Sequence, residues 1–249
     1  MPHSVAVIIL ALNEEKGLKL TYETYRKSIK KKGLEYEFII VNDGSTDRTG
    51  EIAEEIKKEN PYVRVIHNSQ PQGMGRGYKQ GLQLTQKEYY MYTGGYCGLT
   101  EEYINLFLDG IGVADMTIGH ITNPKIRRPF RRSLSSFFTR IMNLITGMNL
   151  EYYNAMALCR THCLKSIRIR SNKYTFQAEC IAKLVKFHQC TYREIALVVR
   201  VRKRGESSRA MKWANVLDTG KFLCLLLYDY YLHSKNPTQL NVKKNTDTP

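Results

Sequence analysis

Phe38-Ile39-Ile40-Val41-Asn42-Asp43-Gly44-Ser45-Thr46-Asp47 changes character at its midpoint. The first four residues are an apolar, largely β-branched run suited to a buried strand, and Asn42-Asp43-Gly44 are turn formers. Ser45-Thr46-Asp47 then supply N-cap chemistry for a helix. Upstream, residues 5–10 form a continuous aliphatic run, the pattern of a strand covered on both faces. A helix-compatible stretch at 14–32 follows it and ends at Gly33. Downstream, Ile52, Ala53 and Ile56 mark one apolar helix face before Pro61. Residues 63–66 predict a third strand, 75–84 a helix and 89–92 a fourth strand. Strands spaced by helices pair in parallel through right-handed crossovers, so the fold class is α/β with a mostly parallel open sheet and flanking helices.

Ligands of such sheets collect beyond the carboxyl ends of the strands. The loops of interest are therefore 11–15, 42–47, 70–77 and 93–98. Asn42 and Asp43 put an amide and a carboxylate where a ribose or base can hydrogen-bond, although for that tetrapeptide alone a plain turn and cap is the favoured reading. Gly73-Met74-Gly75-Arg76-Gly77 permits close backbone approach at a helix start, which suits a phosphate. It follows the third strand and lacks the spacing of a dinucleotide fingerprint.

In order, Val-Ile-Ile-Leu-Ala-Leu-Asn-Glu-Glu at 7–15, the stretch at 38–47 and the glycine-rich 73–81 resemble a family-two glycosyltransferase of the GT-A fold. Within it, the chain is most similar to the dolichyl- or polyprenyl-phosphate sugar synthases. The resemblance extends to Ala114-Asp115, to Phe176-Gln177-Ala178-Glu179 and to Arg202-Lys203-Arg204-Gly205-Glu206-Ser207, covering roughly residues 4–210. It implies that Leu10, Leu12 and Glu14 line a nucleotide pocket, with Glu14 near the ribose and Asp43 near the base. Arg202 and Ser207 are implied to meet the phosphates from a closing loop, where an arginine fork matches phosphate oxygens. The other reading of this arginine cluster is a solvated basic strand end.

The resemblance also implies a divalent ion, Mg2+ or Mn2+, held by Asp-x-Asp after the fourth strand. The matching positions read Thr93-Gly94-Gly95, so Thr93 and Gly95 are assigned to the nucleotide and no metal ligand is assigned. Glu101 and Glu102 are read as first-turn acids of the next helix. Other family positions differ at Leu10, at His120-Ile121 and at Ser208. Three explanations stand open: arginines in place of a metal, a different activated donor, or a non-catalytic module that binds nucleotide or a partner protein and regulates it.

Charge separates the two halves of the 249-residue chain. Residues 1–115 hold 14 Lys or Arg against 16 Asp or Glu, and residues 116–249 hold 24 against 7. The basic half calls for an anionic partner: nucleic acid, phosphorylated substrate or acidic membrane. No nucleic-acid motif accompanies the charge, so that partner is not expected. From Ile126 the apolar residues recur in steps of three and four as far as Met148, with Pro129 in the first turn and Gly147 at the end. Arg127, Arg128, Arg131 and Arg132 cluster at the front of this helix, a composition fitting a membrane interface with arginines on lipid phosphates. A core-covering helix with solvated arginines is the alternative.

A base for a hydroxyl acceptor would be Glu179 or Glu151, by resemblance or position. Glu179 reads equally as a salt-bridge partner, while an anionic lipid-phosphate acceptor needs no strong base. The longest apolar run, residues 5–12, falls short of the roughly 20 residues that span a bilayer. Without an export-type amino terminus, the expectation is a cytoplasmic protein, peripheral on the inner face of the membrane. Six cysteines without ligand spacing read as free thiols. The expected organisation is a catalytic domain at 1–210, an amphipathic helical arm at 211–235 and a disordered tail at 236–249.

Overall fold

The computed structural model describes residues 2–96, 98–122, 129–197 and 213–234. The first half alternates as expected: β1 (Ser4–Ala11), α1 (Leu18–Lys31), β2 (Glu35–Asp43), α2 (Thr49–Glu59), β3 (Val63–Asn68), α3 (Met74–Leu84) and β4 (Tyr89–Gly94). After α4 (Glu101–Leu108) come β5 (Met116–Ile121), α5 (Pro129–Thr146), β6 (Ala157–Arg160), α6 (Thr161–Ser166), α7 (Phe176–His188), β7 (Tyr192–Leu197) and α8 (Trp213–Ser234).

The seven strands form one sheet in the order β3-β2-β1-β4-β6-β5-β7. β1 pairs in parallel with β2 and β4, and β2 with β3. β6 is antiparallel to both β4 and β5, whereas β7 returns parallel to β5. The chain leaves β1 toward β2 and β3, then crosses back to place β4 on the other side of β1. That reversal makes the carboxyl ends of β1 and β4 a topological switch point, the place where ligands of open α/β sheets bind.

β1 shows why its aliphatic run is needed. Ala6, Ile8 and Leu10 enter a core with α3, α5, α7 and α8, while Val5, Val7, Ile9 and Ala11 enter a second core with α1, α2 and α4. Strand side chains alternate between faces, so a sheet covered on both sides demands apolar residues at every position. Fully burying a side chain such as Ile8 contributes roughly 1.5–3 kcal/mol. α3 presses unusually close to this sheet. A Cβ at Gly77 would lie 2.9 Å from Leu10 Cδ2, and one at Gly81 would lie 2.9 Å from Ile8 Cδ1.

Glu101 and Glu102 are in the first turn of α4, as their acidity predicts, and Glu101 pairs with Lys27 at 2.8 Å. α5 spans Pro129–Thr146, and Gly147 follows with φ 69°. Phe222, Leu226 and Asp229 of α8 are buried, with Phe222 packed against Phe138 of α5 at 6.4 Å between ring centroids. The expected tail at 236–249 lies outside the described residues.

Candidate active site

The β1–α1 and β2–α2 loops are joined by reciprocal hydrogen bonds. Asn13, in the left-handed region at φ 57°, donates its N–H to Ser45 Oγ (3.0 Å), and its Oδ1 accepts the Thr46 N–H (2.9 Å). Glu14 N–H donates to Thr49 Oγ1 (2.8 Å) and Glu15 N–H to Asp47 Oδ2 (3.2 Å), while Glu15 Oε2 accepts the Arg48 N–H (3.2 Å). The expected cap residues thus serve a wider purpose: Asp47 accepts the Thr49 N–H at the start of α2, and Ser45 reaches the other loop. Burial works to raise the Asp47 pKa, but the Thr49 hydroxyl and the Thr49 and Glu15 amides outweigh it, leaving the carboxyl below its ordinary value.

Asp43, buried at the end of β2, holds the glycine loop. Oδ1 accepts from Asn68 Nδ2 and the Gln72 N–H, and Oδ2 from the Gly73 N–H, each at 2.9 Å. Gln80 of α3 extends the chain, donating to Asn68 Oδ1 at 2.9 Å. Asn68 and Gln80 escaped sequence reading; an amide at the carboxyl end of a strand was the available signal. The close approach permitted by the glycines is made to the protein itself. The Gly75 and Arg76 N–H groups donate to Asn172 O at 2.9 and 3.3 Å, so these two amides at the α3 amino end already have acceptors. This revises the phosphate reading of that segment.

At the β4 end, Thr93 is buried and Gly95 lies against the first loop. Gly95 N–H donates to Leu10 O (3.1 Å), and a Cβ there would meet Glu14 Cβ at 2.9 Å, Glu14 Cγ at 3.2 Å and Ala11 Cβ at 3.3 Å. Tyr96 folds across Gly94 and Gly98. Leu10, Glu14 and Gly95 are therefore brought together, with Leu12 and Glu14 half-buried and Leu10 packed beneath α3. Thr93 and Gly95 offer no carboxylate, and Asp43 already accepts three hydrogen bonds. Among the described residues no three His, Cys, Asp or Glu groups converge. The residues at this strand end do not fit a divalent ion held by hard oxygen ligands.

Glu179 lies in α7, behind the turn that meets the glycine loop. Its carboxylate accepts the Arg170 N–H with both oxygens (3.0 and 3.1 Å), the Ser171 N–H (2.9 Å) and Lys183 Nζ (2.6 Å). Lys183 also reaches Asp229 of α8 (3.5 Å), which receives a two-pronged Arg170 guanidinium at 2.9 and 3.0 Å. The carboxylate offered as a base is thus engaged at every acceptor position, in a buried network that ties α8 to α7. Glu151 is exposed. Arg202, Ser207, Arg127 and Arg128 lie outside the described residues; Arg131 and Arg132 belong to α5, and Arg132 is exposed. α5 leaves Leu134, Phe137 and Leu144 exposed, and α8 leaves Leu227 and Tyr228 exposed. No helix of the described residues is long and apolar enough to cross a membrane.

A sheet with this strand order, with its strand-end loops joined by reciprocal hydrogen bonds, is the GT-A glycosyltransferase fold. Glucosyl-3-phosphoglycerate synthase from Mycobacterium tuberculosis, solved with Mn2+, UDP and glucosyl-3-phosphoglycerate, superposes with a TM-score of 0.61 at 16% identity, over 92% of this chain and 80% of that one. Residues 6–168 match Glycosyl transferase family 2, and the chain belongs to that family as a glycosyltransferase. It is 27% identical over 223 residues to an undecaprenyl-phosphate mannosyltransferase of Micrococcus luteus, covering 82% of this chain and 86% of that protein. It is also 23% identical to a dolichol-phosphate mannosyltransferase of Pyrococcus furiosus, covering 86% of this chain and 65% of that protein.

Proposed function

We propose that this glycosyltransferase moves a sugar from a nucleotide-sugar donor to a polyprenyl phosphate or another lipid-linked acceptor at a membrane surface, with no divalent ion at the β4 end. The metal-independent part of the reading is supported by the β4 end, where the positions of the family's carboxylates read Thr93 and Gly95 and Gly95 packs against Glu14 and Ala11. The relatives named for undecaprenyl and dolichol phosphates support the acceptor class.

An acceptor phosphate oxygen is already anionic. It attacks the anomeric carbon, forming the new C–O bond as the bond to the donor diphosphate breaks, and no proton has to move. The protein must align the partners and neutralise the departing diphosphate. Asp43 and the joined loops hold the nucleotide side; Arg202 and Ser207 are assigned to the diphosphate. Glu179 is assigned a positioning role, holding the Arg170–Ser171 turn whose neighbour Asn172 caps α3. Arg127, Arg128, Arg131 and Arg132, with the apolar face of α5, are assigned to the anionic membrane.

The test is transfer from UDP- and GDP-sugars to a short polyprenyl phosphate in detergent, with EDTA or with Mn2+. Turnover should survive EDTA, and Arg202→Ala should lower kcat by about 100-fold or more without changing the fold. Activity abolished by EDTA and restored by Mn2+ would refute metal independence. Nucleotide binding without transfer to any acceptor would favour the regulatory module instead.

A further inference from the structure

We propose that Cys163 and Cys190 form a thiol–disulfide exchange site that takes a low-molecular-weight disulfide, with Cys163 attacking and Cys190 resolving; the inference goes beyond sugar transfer and does not depend on it. The two thiols hydrogen-bond to each other. The fold brings them together around the start of β5. Asp115, the residue before β5, accepts the Arg160 N–H with its carbonyl at 2.8 Å and the Thr191 N–H with Oδ2 at 2.9 Å. Arg160 ends β6 and Thr191 precedes β7; Cys163 follows the one in α6, and Cys190 immediately precedes the other. The ends of α6 and α7 meet as well, since Ser166 Oγ lies 3.3 Å from His188 Nδ1.

The buried thiols fall into two kinds. Cys159 and Cys180, 2% and 4% exposed, are pushed up in pKa by burial. Cys163 and Cys190 are each 8% exposed, beside the exposed His162 and Gln189 in the chain. The hydrogen bond from the Cys190 thiol is the largest influence on Cys163. With the charge of Arg160 it outweighs burial and the Asp115 carboxylate, and the Cys163 thiol falls below its ordinary range. Cys190 is pushed up, first by the same hydrogen bond and then by burial. His162 Nε2, 3.4 Å from Cys163 Sγ, can take the thiol proton. A thiolate nucleophile beside a second thiol is what an attacking and a resolving cysteine require.

In the first step Cys163 Sγ attacks one sulfur of the external disulfide. A mixed disulfide forms, and the departing thiolate takes the proton that left Cys163. In the second step Cys190 Sγ attacks Cys163 Sγ, and its proton goes to the second departing thiolate. Two protein thiols are oxidised, and one external disulfide is reduced to two thiols. The new bond closes a loop that contains Asn172, whose carbonyl takes the Gly75 and Arg76 amides, and Glu179, which holds the Ser171 N–H. Oxidation therefore braces the turn against which α3 begins.

Oxidised glutathione tests this on the reduced full chain carrying Cys224→Ser, which removes an exposed thiol. Peptide mapping should find Cys163 linked to Cys190, and the melting temperature should rise by about 5 °C. Adding Cys190→Ser should leave glutathione on Cys163, whereas adding Cys163→Ser should leave Cys190 unmodified over the same time. Absence of the Cys163–Cys190 link in the parent chain, where both cysteines are intact, would overturn the site whether or not the variants fold. So would glutathione reaching Cys190 in the Cys163→Ser variant as fast as it reaches Cys163 in the Cys190→Ser variant, because the two cysteines would then have no separate roles.

Discussion

The carboxylate of Asp43 accepts the backbone N–H of Gly73 at 2.9 Å, joining the end of β2 to the loop that opens α3. With the bonds from Gln72 N–H and Asn68 Nδ2, it fixes the glycine loop against the end of β2. Asp43→Ala removes all three acceptor contacts and leaves two backbone donors partly buried. Stability should fall by about 2–4 kcal/mol, read from urea midpoints, with nucleotide affinity reduced as the loop loosens. A variant of unchanged stability would show that the glycine loop holds itself.

Gly95 and Glu14 form a second coupled pair. Gly95→Asp would place a carboxylate where the family motif leads one to look for it, but its Cβ meets Glu14 and Ala11. The substitution should cost about 1–3 kcal/mol through overpacking, and Mn2+ should not restore the stability. Glu14→Gly, which removes both the Cβ and the Cγ that the new side chain meets, should recover part of the loss in the same chain, giving a coupling of about 0.5 kcal/mol or more in a double-mutant cycle. Additive losses would mean that the crowding lies elsewhere.

The α7–α8 connection is electrostatic. Lys183 lies between Glu179 and Asp229, and all three are buried. Glu179→Gln leaves Lys183 with a weaker partner and turns an amide donor toward backbone N–H groups. A loss of about 3–5 kcal/mol is expected, with Lys183→Met costing less in the Glu179→Gln background than alone. Hydrogen exchange should locate the loosening in α8 and the turn around Ser171. Protection unchanged in both places would detach the network from the docking of α8.

Legibility from sequence follows how local each cause is. β1 and β2 announce themselves because both faces of their central stretches, residues 5–11 and 38–41, are covered and those positions are apolar. β6 does not: four residues, Ala157–Arg160, hold the antiparallel seam only through contacts with β4 and β5. In the site, Asp43 was visible as a strand-end carboxylate, but its partners lie 25 to 30 residues away and only the folded chain supplies them. The same is true of Asn172, whose carbonyl takes the Gly75 and Arg76 amides that a local reading leaves open for phosphate. Glu179 carried two readings because one carboxylate pattern serves both a base and an ion pair. Only its surroundings distinguish them.

Acid should find Asp47 as a specific weak point. Its folded pKa lies below the ordinary value, against an unfolded aspartate near about 3.9. The sign follows from linkage: its contribution is fully present above the unfolded pKa and is lost as pH falls through the folded one. Asp47→Asn should therefore lower stability near neutrality, and the gap from wild type should close below about pH 4. A gap constant across that range, measured by urea unfolding at each pH, would assign the loss to geometry instead of charge.

The helical surface of α5 and α8 yields the last test. Leu144 is 85% exposed and Phe137 62%, with Leu227 and Tyr228 of α8 also open, and the amino end of α5 carries a run of arginines. A basic residue near an anionic bilayer contributes about 1 kcal/mol, so changing Arg127, Arg128, Arg131 and Arg132 to Gln should weaken binding to phosphatidylserine vesicles by on the order of 100- to 1,000-fold at low salt. Salt should weaken wild-type binding and have less effect on the variant. Phe137→Ala with Leu144→Ala should weaken binding at every salt concentration, because the apolar contribution is not screened. Vesicle binding by the four-Gln variant equal to wild type would remove α5 from the membrane and leave its apolar face to a protein partner.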